Sequence, residues 1–158
     1  MVVDSGKGQV VIEAYDCPFC EIVQREDPHA REVYRDAHVV GFFPSEPAVL
    51  GHTLIVPRAH VSDIWSLSEK TAAHLATTTV RVAGAIRKAV HPEGLNVIQS
   101  NGKAATQTVF HLHVHLVPRW DTDAMGAIWP KDTDYSERQK DRALRAVREA
   151  CQNLSSDG

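Results

Sequence analysis

The chain has 158 residues, 43% of them hydrophobic and 23% charged, with a net charge of −3. That is the length of one domain with enough apolar material for a core, and it lacks the basic surplus of a nucleic-acid binder. No apolar run approaches the roughly 20 residues of a membrane span, no secretory signal pattern opens the sequence, and three cysteines make no disulfide framework. The expectation is a cytoplasmic protein without nucleic-acid or membrane partners.

In chain order, "QVVIEA" (Gln9 to Ala14) is β-branched and short enough for an edge strand. "CPFCEIVQRE" follows, with Phe19, Ile22 and Val23 at the spacing of a short helix. "REVYRD" and "HVVGFFP" predict a hairpin turning near Asp36 and Ala37. Pro44 and Pro47 end its second strand, because proline donates nothing to a ladder. "GHTLIVPR" predicts a third strand. Ser68 to Val90 reads as a long helix capped by Ser68, with Ala72, Leu75, Thr79, Val82, Ala83, Ile86 and Val90 on one stripe. His91-Pro92 and Gly94 stop it. "LNVIQS" and "FHLHVHLVP" predict the last strands. A final helix starts at Ser136, where Ser136 and Gln139 have capping-box spacing. Leu144, Val147, Cys151 and Leu154 form its apolar stripe, which places Cys151 in a core. Strands joined by short turns favour an antiparallel sheet with helices packed on it, an α+β fold.

The chemistry concentrates in "FHLHVHLVP", which holds three of the nine histidines. On a strand, His111, His113 and His115 share one face, while Leu112, Val114 and Leu116 point into the core. Imidazoles stacked in a dry core would lack partners, so their face looks into a cleft. Two chemistries suit such a row. His-x-His chelates zinc or copper, or one imidazole attacks phosphorus while its neighbours set its tautomer. Spacing alone does not separate them.

"HLHVHLV" resembles the His-φ-His-φ-His-φ-φ signature of the histidine triad (HIT) superfamily of nucleotide hydrolases and transferases, φ being hydrophobic. "CPFCEIV", "GHTLIVPRAHVSDI" and "GLNVIQSNGKAATQTVFHLHVHLVPR" are similar to that family's blocks, in its order, from Cys17 to Arg119. The resemblance implies one HIT domain over residues 1–158, with 120–158 as a C-terminal extension. It also implies an antiparallel sheet of about five strands, one long central helix and a C-terminal helix.

What the resemblance implies for the site follows residue by residue. His113 is the nucleophile toward the α-phosphorus of a (di)nucleoside polyphosphate or nucleoside phosphoramidate, passing through a nucleotidyl-histidine intermediate. A backbone carbonyl accepts from its Nδ1–H. His115 stabilises charge and handles the proton, and Gln107 and Thr108 contact phosphate. His52 faces the pocket, while Phe19, Ile22, Phe42 and Leu54 build an apolar slot for the base. Ser100 and Asn101 are the matching nucleotide-binding positions. Two departures touch ribose recognition: Pro44 stands where the family carries Asp or Asn, and Ser100 where it carries an amide. Homodimers are common in the family.

Cys17-Pro18-Phe19-Cys20 reads either as a redox motif or as half of a zinc site. The resemblance points to a zinc-bearing branch, with Cys17, Cys20, His60 and His111 as a closed structural set. Arg119 either helps hold phosphate or sits in a salt bridge. Trp120, Trp129 and Tyr135 lie in the extension, where they stack on a base or cover a sheet edge. Two further functions compete with the enzyme: a nucleotide-binding regulatory module with little catalysis, and a thiol oxidoreductase using Cys17 and Cys20.

Overall fold

The computed structural model describes residues 16–154; the expected strand over Gln9 to Ala14 lies outside them. The chain divides into two units, Met1–Met125 and Gly126–Gly158.

The first unit is built on five antiparallel strands: β1 (Arg31–Arg35), β2 (Val39–Phe43), β3 (Thr53–Pro57), β4 (Gly94–Gln99) and β5 (Val114–Arg119). They lie in the order β1-β2-β3-β5-β4. The hairpin turns where expected, because the Asp36 carboxylate accepts from the backbone N–H of both His38 and Val39 at 2.8 Å. Cross-strand partners share a face. Phe42 pairs with Leu54, and Leu54 with His115, so the His115 face continues the apolar face of β2 and β3.

Two helices cover the two faces. The short α1 (Pro18–Gln24) opens with proline at its first position, where the missing N–H costs nothing. Its Val23 is buried with Val40, Phe42, Leu54 and Val56, and Phe19 and Ile22 pack on that cluster. The long α2 (Glu69–Val90) is capped as expected, Ser68 accepting from the Thr71 N–H. It buries Leu75, Val82 and Ile86 against Val39, Ile55, Leu112 and Leu116 on the opposite face. Thr78 is buried in this stripe where Thr79 was expected. It lies three residues after Leu75 and four before Val82, on the line those two define. Val90 is exposed at the helix end. His91 ends the helix in the left-handed conformation, with φ 47°.

The last strand differs from expectation. Its ladder begins only at Val114, so His111 and His113 precede it. The Leu112 N–H donates instead to the Val61 carbonyl at 2.6 Å, which ties this stretch to the loop after β3. The side-chain alternation survives nonetheless, with Leu112 joining the core beneath α2.

The second unit contains α3 (Glu137–Leu154). Ser136 and Gln139 form the expected capping box, each accepting from the other's N–H at 3.3 and 2.8 Å. Leu144, Val147 and Leu154 are exposed, and so is Cys151, contrary to its expected place in a core. An amphipathic repeat reports a helix face and not what covers it. Among the described residues, no helix is long and apolar enough to cross a membrane.

Candidate active site and metal centre

Two groups of side chains meet at the end of β5. The first gathers Cys17 and Cys20 from the start of α1, His60 from the loop after β3, and His111. Their ligand atoms all lie within 4.8 Å of one another. His111 Nδ1 is 3.5 Å from Cys17 Sγ and 3.6 Å from Cys20 Sγ, and His60 Nδ1 is 3.3 Å from Cys20 Sγ.

His111 is fully buried, and its Nε2 is 2.8 Å from the Pro57 carbonyl. A carbonyl only accepts, so Nε2 carries the proton and Nδ1 turns a bare lone pair toward the two sulfurs. Burial, partly opposed by that hydrogen bond and helped by His60 and His113, pushes His111 down to about 4, so it is neutral at pH 7. The two thiols, both buried, bring soft donors to this group of two cysteines and two histidines, the donor types of a structural zinc site. Burial, with the Cys17 thiol beside it, pushes Cys20 up to about 11; both thiols are buried, whereas a redox CxxC needs an accessible thiol.

The second group is His113, His115 and His52. The His113 Nδ1–H donates to the His111 carbonyl at 2.7 Å, leaving Nε2 without a proton. Burial lowers the His113 pKa, and this hydrogen bond partly offsets the effect. The His113 and His115 rings lie 4.8 Å apart.

His115 Nδ1 is 2.9 Å from His52 Nε2, and the Ala48 N–H donates to His52 Nδ1 at 3.1 Å. Because Ala48 donates, His52 Nδ1 must accept, and the His52 proton therefore sits on Nε2 and points at His115 Nδ1. Neutral His115 then carries its own proton on Nε2. Burial first, then His113 and His52, holds His115 down at about 4. Burial and then His113 also lower His52. One backbone N–H thus sets the tautomers of two side chains.

Around these groups lie the other expected residues. Phe42 and Leu54 are buried, with Phe19 and Ile22 on their surface, so all four meet in one cluster. The Phe19 ring is 5.1 Å from that of His113 and nearly perpendicular to it, at 87°.

The Gln107 carboxamide is fully engaged. Its NH₂ donates to the Ser62 and Val109 carbonyls at 2.7 and 3.1 Å, and its oxygen accepts from the Gly102 N–H at 2.8 Å. Thr108 beside it is exposed. The Asn101 amide donates to Gln99 at 2.6 Å, and its oxygen accepts from the Ile64 N–H at 2.7 Å. Ser100 is half-buried between them. Arg119 is held by Asp123 at 2.7 Å and Asn96 at 2.6 Å. The resemblance implied a backbone carbonyl at His113 Nδ1, which the structure identifies as that of His111; the Pro57 carbonyl and the Ala48 N–H were not foreseen, since every residue carries such groups.

An imidazole with a bare Nε2, an adjacent proton-bearing imidazole and a thiol-imidazole quartet occur together here, in the order the triad blocks impose. The family model for the HIT domain matches residues 25–122. The chain belongs to the HIT family.

Among its HIT relatives, the adenylylsulfatase HINT3 of Arabidopsis thaliana is 30% identical over 153 residues, covering 96% of this chain and 73% of that protein. The adenosine 5'-monophosphoramidase hnt1 of Schizosaccharomyces pombe is 32% identical over 115 residues, covering 72% and 83%. The solved structure of a zinc-bound histidine triad family protein from Mycobacterium smegmatis superposes with a TM-score of 0.67. It is 34% identical, covering 92% of this chain and 99% of that one. The five-stranded antiparallel α+β fold is therefore that of the HIT family, whose members include hydrolases.

Proposed function

We propose that this HIT protein is a nucleotide hydrolase or nucleotidyl transferase acting at an α-phosphorus through His113. The observation that carries the reading is the 2.7 Å hydrogen bond from His113 Nδ1–H to the His111 carbonyl, which leaves Nε2 as a free base. The Nε2 lone pair forms the new bond to phosphorus as the bond to the leaving group breaks. The proton on His115 Nε2 passes to the departing atom, and His52 holds His115 in that tautomer. In the second half, His115 Nε2 accepts a proton from water as its oxygen attacks phosphorus. The phosphorus–nitrogen bond breaks, and nucleoside monophosphate leaves.

The relatives' names support such a reaction with different leaving groups, one a sulfate and one an amine. Thr108, exposed beside the triad, donates to the phosphate oxygens. Gln107 positions that segment through its contacts with Ser62 and Gly102. Ile22 forms the accessible wall of the base slot, on the floor of Phe42 and Leu54, and Phe19 lies between that slot and His113. The Asn101 side chain is committed to Gln99 and Ile64, so ribose recognition falls to Ser100 and backbone groups.

Cys17, Cys20, His60 and His111 would hold zinc, which supplies a cross-link between α1 and the histidine segment. Buried free thiols favour a reducing compartment, the cytoplasm. β4 is a sheet edge carrying Val97 at 55% exposure, a surface suited to pairing with a second copy in a homodimer.

The test is a panel of adenosine and guanosine phosphoramidates and dinucleoside polyphosphates assayed for monophosphate release, with acid-quench trapping of a radiolabelled nucleotidyl adduct. An adduct on His113 is expected. Tight nucleotide binding with neither adduct nor release would make the protein a regulatory binding module instead.

A further inference from the structure

We infer that Phe19 is a positioning residue for His113, held by the cysteines on either side of it, so that the Cys₂His₂ group sets the aim of the nucleophile. This deepens the nucleotidyl-transfer reading and rests on it.

An attacking nitrogen needs both a free lone pair and a fixed ring plane. The hydrogen bond from Nδ1–H to the His111 carbonyl settles which nitrogen is bare. A single hydrogen bond leaves the ring able to rock about that contact, and Phe19 opposes this motion. Its ring meets His113 at 5.1 Å and 87°, and on another side meets Phe42 at 5.3 Å and 71°, edge contacts of the kind aromatic pairs favour. Phe42 is 1% exposed and locked in the sheet. Phe19 is therefore a wedge between an immobile wall and the nucleophile.

The wedge itself is held at both ends. Cys17 and Cys20 flank it, and their sulfurs converge on His111 Nδ1 at 3.5 and 3.6 Å. The Phe19 backbone cannot shift away from His113 without parting these cysteines from His60 and His111, and Phe42 restrains the ring that this backbone carries. The other ligand segments reach the nucleophile as well. Val61, next to His60, accepts from the Leu112 N–H at 2.6 Å, and His111 supplies the carbonyl. Every segment bearing a metal-type ligand thus touches His113 or the residue before it.

A wall of the base slot and a positioning wedge demand different things of Phe19. A wall acts on substrate affinity and depends on the base. A wedge acts on the chemical step whatever the base is.

The experiment compares wild type, Phe19→Leu and Phe19→Tyr, each as the full-length, metal-loaded protein. Phe19→Leu should slow single-turnover adduct formation about 10- to 100-fold, as expected when a reacting group drifts by a fraction of an ångström to one ångström. KM for adenosine and guanosine substrates should stay within about twofold and metal content should be unchanged. Phe19→Tyr, which keeps the ring, should restore the rate.

A second readout needs no activity. In ¹⁵N-histidine NMR spectra, wild-type His113 should show a single Nδ1–H tautomer. Both Phe19→Leu and removal of metal from the wild type should broaden or mix that signal. A rise in KM with unchanged kcat, loss of metal in Phe19→Leu, or a His113 signal indifferent to both changes would each overturn the inference. If the wild type turns over no substrate in the panel, the nucleotidyl-transfer reading fails, and the NMR comparison still decides whether Phe19 holds His113.

Discussion

His111 and His115 are the same residue type four positions apart, and the structure gives them different surroundings. His111 gives its Nε2–H to the Pro57 carbonyl and turns a bare Nδ1 toward two thiols. His115 takes the His52 proton at Nδ1 and keeps its own on Nε2. The first arrangement suits a soft metal and the second a proton transfer. His113, between them, is bare at Nε2 because its one N–H, on Nδ1, donates to a backbone carbonyl. An imidazole's chemistry here is decided by the group facing its second nitrogen.

The largest test of that contrast removes the middle histidine. His113→Ala should lower kcat by at least about 10³-fold, the scale of losing a nucleophile, while nucleotide binding measured by calorimetry persists. Turnover retained in that variant would discard the mechanism.

The metal-type group should fail differently. Elemental analysis of protein purified without added zinc should find about one equivalent per chain, and the pair Cys17→Ser and Cys20→Ser should fall below about 0.2. The same pair should melt at least about 5 °C lower, as loss of a folding-coupled cross-link requires. Metal-free wild type of unchanged melting temperature would sink the structural role.

Gln107 and Thr108 sharpen the comparison between holding and acting. Gln107→Leu strands the Gly102 N–H and the Ser62 carbonyl, and should cost about 1–3 kcal/mol in chemical denaturation. Thr108→Val should leave that midpoint unmoved and lower kcat about 2- to 13-fold, the worth of one neutral hydrogen bond. The reverse pattern would exchange their roles.

A fourth test uses pH. The folded pKa of His115 is about 4 against 6.5 for a free imidazole. As pH falls, the unfolded chain therefore takes up its proton first. The stability tied to neutral His115 is complete above about pH 6.5 and is lost as pH falls toward 4. The urea midpoint of wild type should drop more steeply across that window than that of His115→Asn. Equal slopes would contradict a neutral, half-buried ring.

The smallest effect concerns thiols. In the folded, metal-loaded chain a thiol reagent should react quickly with Cys151, which is exposed, and slowly with buried Cys17 and Cys20. Rapid reaction of Cys17 would revive the oxidoreductase reading.

Much of this was legible in the sequence, for reasons visible in particular residues. The five expected strands that fall within the described residues, the Ser68 cap and the Ser136–Gln139 box depend on alternation and local hydrogen bonds, which act over a few residues. The convergence of Phe19, Ile22, Phe42 and Leu54 also followed from the resemblance, because a shared fold carries its positions with it. The misreadings lie where a distant group intervened. The strand pattern of "FHLHVHLVP" is real, but Val61 claims the Leu112 N–H and delays the ladder to Val114. The amphipathic repeat of α3 is real, but nothing in a repeat states what covers Cys151.

The sequence by itself determined the elements, the family and the residue types available for chemistry, since these reside in local pattern and ordered motifs. Only the tertiary structure decided which nitrogen of His111, His52 and His115 keeps the proton, and which carbonyl holds that of His113. Those choices belong to the Pro57 and His111 carbonyls and the Ala48 N–H, backbone groups common to every residue, whose effect depends on where folding places them.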